Sequence, residues 1–276
     1  MSDSLRDIGR VLLVGAGNMG GAMARGWVGA GARPSSIHVV DPRRSEALEP
    51  FFADGSLVYS AAVPSGTFDI VVLAVKPQMM GEALPALRSV LRPDTLVISV
   101  AAGTTTATIA SLLGDVPVVR AMPNTPALIG RGITGCFGDA RVSARSRRDA
   151  EALLIACGSV LWVEREADID AVTAVSGSGP AYVFLLAETL ASAGEAVGLS
   201  RDLALTLARH TVAGAGELMI RSEDEPSTLR RNVTSPNGTT QAALDVLMAA
   251  NGLGPLMRDA VAAAARRAAE LAGDKT

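Results

Sequence analysis

Arg10-Val11-Leu12-Leu13-Val14-Gly15-Ala16-Gly17-Asn18-Met19-Gly20-Gly21 decides the fold of this chain. The apolar residues up to Val14 read as a short buried strand. Ala22, Met23, Ala24, Trp27 and Val28 then continue with the spacing of one helical face. Between them stands GxGxxG, the spacing with which a strand–turn–helix unit holds a dinucleotide. Gly15 allows the tight turn, Gly17 lets the backbone approach a pyrophosphate, and Gly20 lets the helix pack close to the strand. A second strand, Ile37 to Val40, leads to Asp41, 21 positions after Gly20. A carboxylate there favours the ribose 2′-hydroxyl of NAD, whereas the adjacent Arg43 and Arg44 suit the 2′-phosphate of NADP. The segment leaves the choice open.

Outward from this unit the alternation continues. Asp69 to Val75 is a continuous apolar run ending in Lys76-Pro77, Thr95 to Val100 ends in Ala101-Ala102-Gly103, and Val116 to Arg120 ends in Met122-Pro123-Asn124-Thr125-Pro126. Helical patterns lie between, so the spacing predicts an α/β fold, a doubly wound parallel sheet of the Rossmann type covered on both faces. Ligands bind such sheets outside the carboxyl ends of the strands. Lys76, Ala101 to Gly103 and Asn124-Thr125 should therefore gather on the edge that carries Gly15 to Gly20.

Length and composition bound the function. With 276 residues the chain can hold one doubly wound domain and a smaller one. A net charge of −3 without any basic run argues against nucleic acid. No unbroken apolar stretch reaches the length of a bilayer-spanning helix, and the segment MSDSLRDIGR has no secretory apolar core, so a cytoplasmic protein without a membrane partner is expected. Cys136 and Cys157 have no metal-ligand spacing and read as buried or free thiols. There are only two histidines. His38 lies inside a strand and His210 mid-helix, so a histidine acid–base dehydrogenase is disfavoured.

After Trp162 the strand signals stop. The reading divides the chain into a dinucleotide-binding domain, residues 1–164, and an all-α domain, residues 165–276. Ser176-Gly177-Ser178-Gly179-Pro180 interrupts a short apolar segment from Asp168 to Val175. Helices are predicted over Ala181 to Val197, closed by Gly198, over Arg201 to about Arg221, capped by Ser200, and over about Pro255 to Ala272. Helices this apolar all round need burial that so small a unit cannot supply alone, which predicts an intimate dimer.

One further loop carries chemistry. In Val233-Thr234-Ser235-Pro236-Asn237-Gly238-Thr239-Thr240, Pro236 removes a donor and Asn-Gly favours a turn with positive φ. Ala243, Leu244 and Leu247 then share a helical face, so a loop rich in hydroxyls runs into a helix N-terminus, which suits a carboxylate or phosphate.

Taken together, GAGNMG (15–20), AVKP (74–77), AAG (101–103), RAMPNTP (120–126), SGSGPAY (176–182) and the stretch Leu229 to Leu247 make the chain resemble the pyrroline-5-carboxylate reductase family over essentially its full length. The resemblance implies hydride transfer from NADP(H), or NAD(H), to the C=N bond of 1-pyrroline-5-carboxylate, the last step of proline biosynthesis. It implies a domain-swapped homodimer with a shared active site, which in larger members assembles as five dimers. By resemblance, Asn237, Gly238, Thr239 and Thr240 receive the substrate carboxylate, and the Thr240 hydroxyl bonds the ring nitrogen. Lys76 and Asn124 line the nicotinamide pocket, with Lys76 and Thr240 the candidate catalytic residues. Ser176, Gly177 and Ser178 lie by the same cleft, and Glu223 matches a position near the substrate. Gly15, Gly17, Asn18, Met19, Gly20, Asp41, Arg43, Arg44, Ala74, Lys76, Pro77, Ala101, Gly103 and Asn124 are expected around the cofactor. Many members carry a small hydroxylated residue where this chain has Asp41, so dual use of the two cofactors with a lean to NADPH is expected. A protonated cyclic imine accepts hydride without a strong catalytic acid, which explains how a site can lack histidine. A reductase of a related imine and a non-catalytic nucleotide sensor remain as rival readings.

Overall fold

The structure, a computed structural model, describes residues 5–273. Among them are eight strands: β1 (Val11–Val14), β2 (Ile37–Val40), β3 (Leu57–Ser60), β4 (Ile70–Leu73), β5 (Leu96–Ser99), β6 (Val118–Met122), β7 (Gly132–Gly138) and β8 (Gly158–Trp162). The helices are α1 (Asn18–Gly29), α2 (Glu49–Ala53), α3 (Met80–Leu87), α4 (Thr106–Leu113), α5 (Ala144–Ile155), α6 (Asp168–Val172), α7 (Gly179–Ala196), α8 (Arg201–Arg221), α9 (Pro226–Asn232), α10 (Thr239–Leu247) and α11 (Leu253–Ala272).

The strands form one sheet in the order β3-β2-β1-β4-β5-β6-β7-β8. From β3 to β6 all neighbours are parallel. The continuous apolar runs arise because alternate residues feed two cores. Leu13, Val72 and Ile98 pack with Met23 and Trp27 of α1 and with Leu153 of α5. Leu12, Val71 and Val97 face the opposite way, against Leu84 of α3 and Ile109 of α4. Trp27 is fully buried; its loss to Ala would cost about 3–5 kcal/mol.

β7 departs from the all-parallel expectation, pairing antiparallel to β6. The short turn Thr125–Ile129 and Gly130, at φ +69°, reverse the chain without a crossover helix. β8 then pairs parallel to β7 as the sheet's far edge. Cys136 and Cys157 are buried free thiols, as composition suggested.

The chain divides into two compact units, Met1–Gly177 with Ala264–Thr276, and Ser178–Ala263. Within the first unit α6 packs on β6 and β7. The second unit is helical, and α7 and α8 pack against each other. Large apolar side chains on its helices are open to solvent in the single chain, among them Phe184, Leu185, Ile220, Val246 and Leu256.

By length and composition alone the stretch Asp168–Ala196 is apolar enough to cross a membrane, a test that the core helix of a soluble protein also passes, so it does not overturn the expectation of no membrane partner. Where Ser176 to Pro180 suggested a break, the turn Thr173–Gly177 is instead π-helical, and Pro180 sits in the first turn of α7, where its missing N–H costs no hydrogen bond.

Candidate active site

The carboxyl ends of β1, β2 and β4 open into a cavity of about 600 Å³ lined by Gly15, Gly17, Asp41, Arg43, Ala74 and Lys76, among others. Gly15 has φ +97°, and a Cβ there would lie 2.7 Å from the Ala74 carbonyl oxygen. Gly17 caps α1 with nothing within 4 Å of the position its Cβ would take, which leaves room for a ligand against the backbone. At Gly20 a Cβ would overlap the Gly15 carbonyl oxygen, so helix and strand lie in direct contact. Gly21 makes the first hydrogen bond of the helix, to the Gly17 carbonyl at 2.7 Å. The amides of Asn18, Met19 and Gly20 therefore precede the intrahelical ladder and are free for an anion.

The end of β2 resolves into three different roles. Asp41 Oδ2 accepts a hydrogen bond from the Ala16 amide at 2.8 Å, and its Oδ1 accepts one from the Arg43 amide at 2.9 Å. Arg44 makes a bidentate pair with Glu49, both contacts at 2.7 Å, and its guanidinium lies over the rings of Phe52 and Tyr59. The Arg43 side chain lines the cavity and has no hydrogen bond or ion pair among the described residues.

Further along the edge, Lys76 is exposed beside Pro77 at the end of β4, with its ammonium unpaired among the described residues. Ala101 is buried. Gly103, at φ +66°, is packed so closely on Leu271 of α11 that a Cβ would sit 2.9 Å from that side chain, a contact between residues too far apart in the chain for local spacing to reveal. Asn124 uses its side-chain oxygen to accept from the Ile133 amide at 2.9 Å, which ties the loop to β7 and leaves the amide nitrogen as a donor. Ser176 turns its hydroxyl back to the Val172 carbonyl at 3.0 Å, and Gly177 gives way to Met122. These residues all belong to the first unit.

Asn237, Gly238, Thr239 and Thr240 belong to the second, with Ser178 and Glu223. Asn237 takes φ +60°, the left-handed turn conformation that Asn-Gly was expected to adopt. Gly238 is the N-cap of α10, and the Ala242 amide makes the first helical bond to its carbonyl at 3.2 Å. The amides of Thr239, Thr240 and Gln241 lie ahead of that bond. The Thr240 hydroxyl has no hydrogen-bond partner among the described residues and is not spent on capping its own helix. Glu223 is exposed in the acidic turn between α8 and α9.

Residues 166–271 match the family described as pyrroline-5-carboxylate reductase dimerisation, and residues 10–103 match the family described as NADP oxidoreductase, coenzyme F420-dependent. The chain is 46% identical to the pyrroline-5-carboxylate reductase of Pseudomonas aeruginosa, over 95% of this chain and 97% of that one. It is 36% identical to pyrroline-5-carboxylate reductase 1 of Bacillus subtilis, over 96% and 90%. Among solved structures, the Coxiella burnetii reductase superposes with a TM-score of 0.88 at 37% identity, covering 96% of this chain and 99% of that one. The NADP-bound pyrroline carboxylate reductase of Plasmodium falciparum gives 0.80 at 28%, covering 97% and 99%. The glycine turn at one end of this chain and the Asn-Gly-Thr-Thr helix start at the other thus lie within matches that run almost its full length, and the chain belongs to the pyrroline-5-carboxylate reductase family.

Proposed function

We propose that this protein reduces 1-pyrroline-5-carboxylate to L-proline with NAD(P)H as the last step of proline biosynthesis. The observation that carries the reading is the first turn of α10. Three amides without helical partners and an unspent Thr240 hydroxyl suit a ligand whose carboxylate sits on the ring carbon next to the ring nitrogen. The cofactor fits the first unit: an open Gly17, free amides at the start of α1 and an unpaired Arg43 on the cavity wall. Reduced nicotinamide supplies the hydride.

The residues of the chain bind and orient. Asn237 to Thr240 take the substrate carboxylate through backbone amides, and the Thr240 hydroxyl bonds the ring nitrogen. Lys76 and the Asn124 side-chain amide face the nicotinamide, and Ser176 to Ser178 border the substrate. The iminium is reactive enough that positioning supplies most of the catalysis. NADPH is the expected favourite, with Arg43 as the contact to its 2′-phosphate, and the Plasmodium relative has NADP bound. The apolar faces of α7 and α8 suit a domain-swapped homodimer in which each active site is shared between subunits, with a ring of five dimers as the larger assembly. A cytoplasmic enzyme follows from this role. Residues 1–164 supply the cofactor domain and 165–276 the substrate and dimer domain.

The deciding experiment is oxidation of NADPH by the purified protein on addition of 1-pyrroline-5-carboxylate, with NADH and 1-pyrroline-2-carboxylate in parallel. Turnover on the 5-carboxylate is expected. Cofactor binding without turnover of either imine would overturn the reading.

A further inference from the structure

Arg120 lies outside the cleft, yet it is the most buried charged side chain among the described residues, at 2% exposure. It stands on β6 between Ser99 of β5 and Phe137 of β7. Its Nη2 donates to Asp170 Oδ1 at 2.8 Å, and its Nη1 lies 3.7 Å from Glu166 Oε1. The Glu166 carboxylate also accepts from the Thr106 amide at 2.7 Å and from the Thr106 hydroxyl at 2.8 Å. Arg120 Nε is buried with no hydrogen-bond partner among the described residues.

Each member of this cluster holds a different segment of the first unit. Thr106 opens α4 and closes the connection that carries Ala101 and Gly103. Arg120 leads along β6 to Met122 and the loop of Asn124. Asp170 sits in α6, which runs directly into the π-helical turn of Ser176 and Gly177. The rest of β6 is apolar and, from Val118 to Ala121, buried, so an apolar side chain would suit the site on burial alone. Replacing a buried ion cluster with apolar residues is commonly neutral or stabilising, so stability does not account for a guanidinium here. What the fork supplies is direction: fixed N–H vectors that hold carboxylates from separate segments at set positions.

We propose that Arg120 is a positioning residue, whose pairs with Asp170 and Glu166 set the spacing of the 101–106 connection, the Asn124 loop and the Ser176 turn. The proposal rests on the imine-reductase reading, which places those three segments around the nicotinamide and the substrate.

The test compares the full-length protein with Arg120→Met, Arg120→Lys and Glu166→Gln. Misplacement of a reacting group by an ångström costs about 100-fold, and that fall in kcat is expected of R120M. The Kd for NADPH should change by less than about threefold, while Tm should fall, because removing one partner leaves the buried Asp170 carboxylate unpaired. R120K should recover part of kcat, because an ammonium can hold one carboxylate but lacks the planar fork. E166Q releases only the Thr106 arm and should cost about tenfold. A folded R120M with kcat within about twofold of wild type, or a lower Tm with unchanged kcat per folded site, would overturn the proposal. If R120M does not fold, a fully active E166Q has the same force. Should the wild type reduce no imine, the functional reading falls separately. Amide exchange at residues 101–106 and 173–177 then decides the positioning role, expected faster in the variants and overturning the proposal if unchanged.

Discussion

The carboxylate of Asp41 is hydrogen-bonded to the amide of Ala16 across 2.8 Å, joining the end of β2 to the glycine-rich turn. Its second oxygen holds the Arg43 amide. Both oxygens thus organise the loop. Asp41→Ala should therefore weaken NADPH and NADH together, by about 5- to 20-fold each, the size expected for a lost charge-assisted hydrogen bond. Fluorescence titration with both cofactors checks this. A large selective gain for NADPH would instead mean that the carboxylate acts by repelling the 2′-phosphate.

The two arginines beside it should separate cleanly. Arg44 is committed to Glu49 and stacked on Phe52 and Tyr59, whereas Arg43 lines the cavity unpaired. Arg43→Gln should raise the Kd for NADPH about tenfold, as for one hydrogen bond to a charged group, and leave NADH nearly unchanged. Arg44→Gln should leave the preference between cofactors alone and lower Tm slightly, since the pair with Glu49 is about half exposed. The opposite pattern would place the phosphate on Arg44.

These roles show where sequence reading reached and where it stopped. GxGxxG could be interpreted residue by residue because each glycine answers a local steric demand, and the positions of Gly15 and Gly20 bear that out. The strands β1, β2, β4 and β5 were visible because burial on both faces forces continuous apolar runs. β7 was not: Gly132, Gly135 and Gly138 interrupt its pattern, and they are there because Val172, Val142 and the Cys157 carbonyl pack against the strand. The fate of Arg44 depends on two rings brought in by α2 and β3, which no local spacing reveals. Arg120 read simply as the end of a strand, since its hydrogen-bonded partner Asp170 lies 50 residues on. At Thr240 the loop pattern located the helix start, and the residue that caps it is Gly238.

That cap has a consequence for Thr240. Because the hydroxyl is not spent on the helix, Thr240→Val should leave the oligomeric state and Tm almost unchanged, without the loss of about 1 kcal/mol that removing a true N-cap brings. Turnover should fall about 10- to 100-fold through loss of a hydrogen bond to the charged ring nitrogen. Steady-state kinetics and sedimentation on the same preparation check both halves. Normal kcat with a lowered Tm would return Thr240 to a purely structural role.

The last expectation concerns pH and comes from β2. The imidazole of His38 meets the Phe68 ring edge-on at 5.1 Å, and the Arg10 guanidinium covers the same ring at 4.5 Å. Burial, and then the Arg10 charge, lower the His38 pKa from its ordinary 6.5. The native state therefore resists the proton that the unfolded chain accepts, and stability falls as pH drops below 6.5 until the native imidazole also titrates. Carboxylates act in a separate window. Burial pulls Asp69 upward, but hydrogen bonds from Arg92 and the Arg10 amide outweigh it and hold the group below 3.8, so its contribution is lost only at more acid pH. Urea midpoints measured between pH 8 and pH 3 should decline through the histidine window, and His38→Gln should flatten that decline while leaving the acid limb in place. An unchanged slope in the variant would assign the loss to other groups.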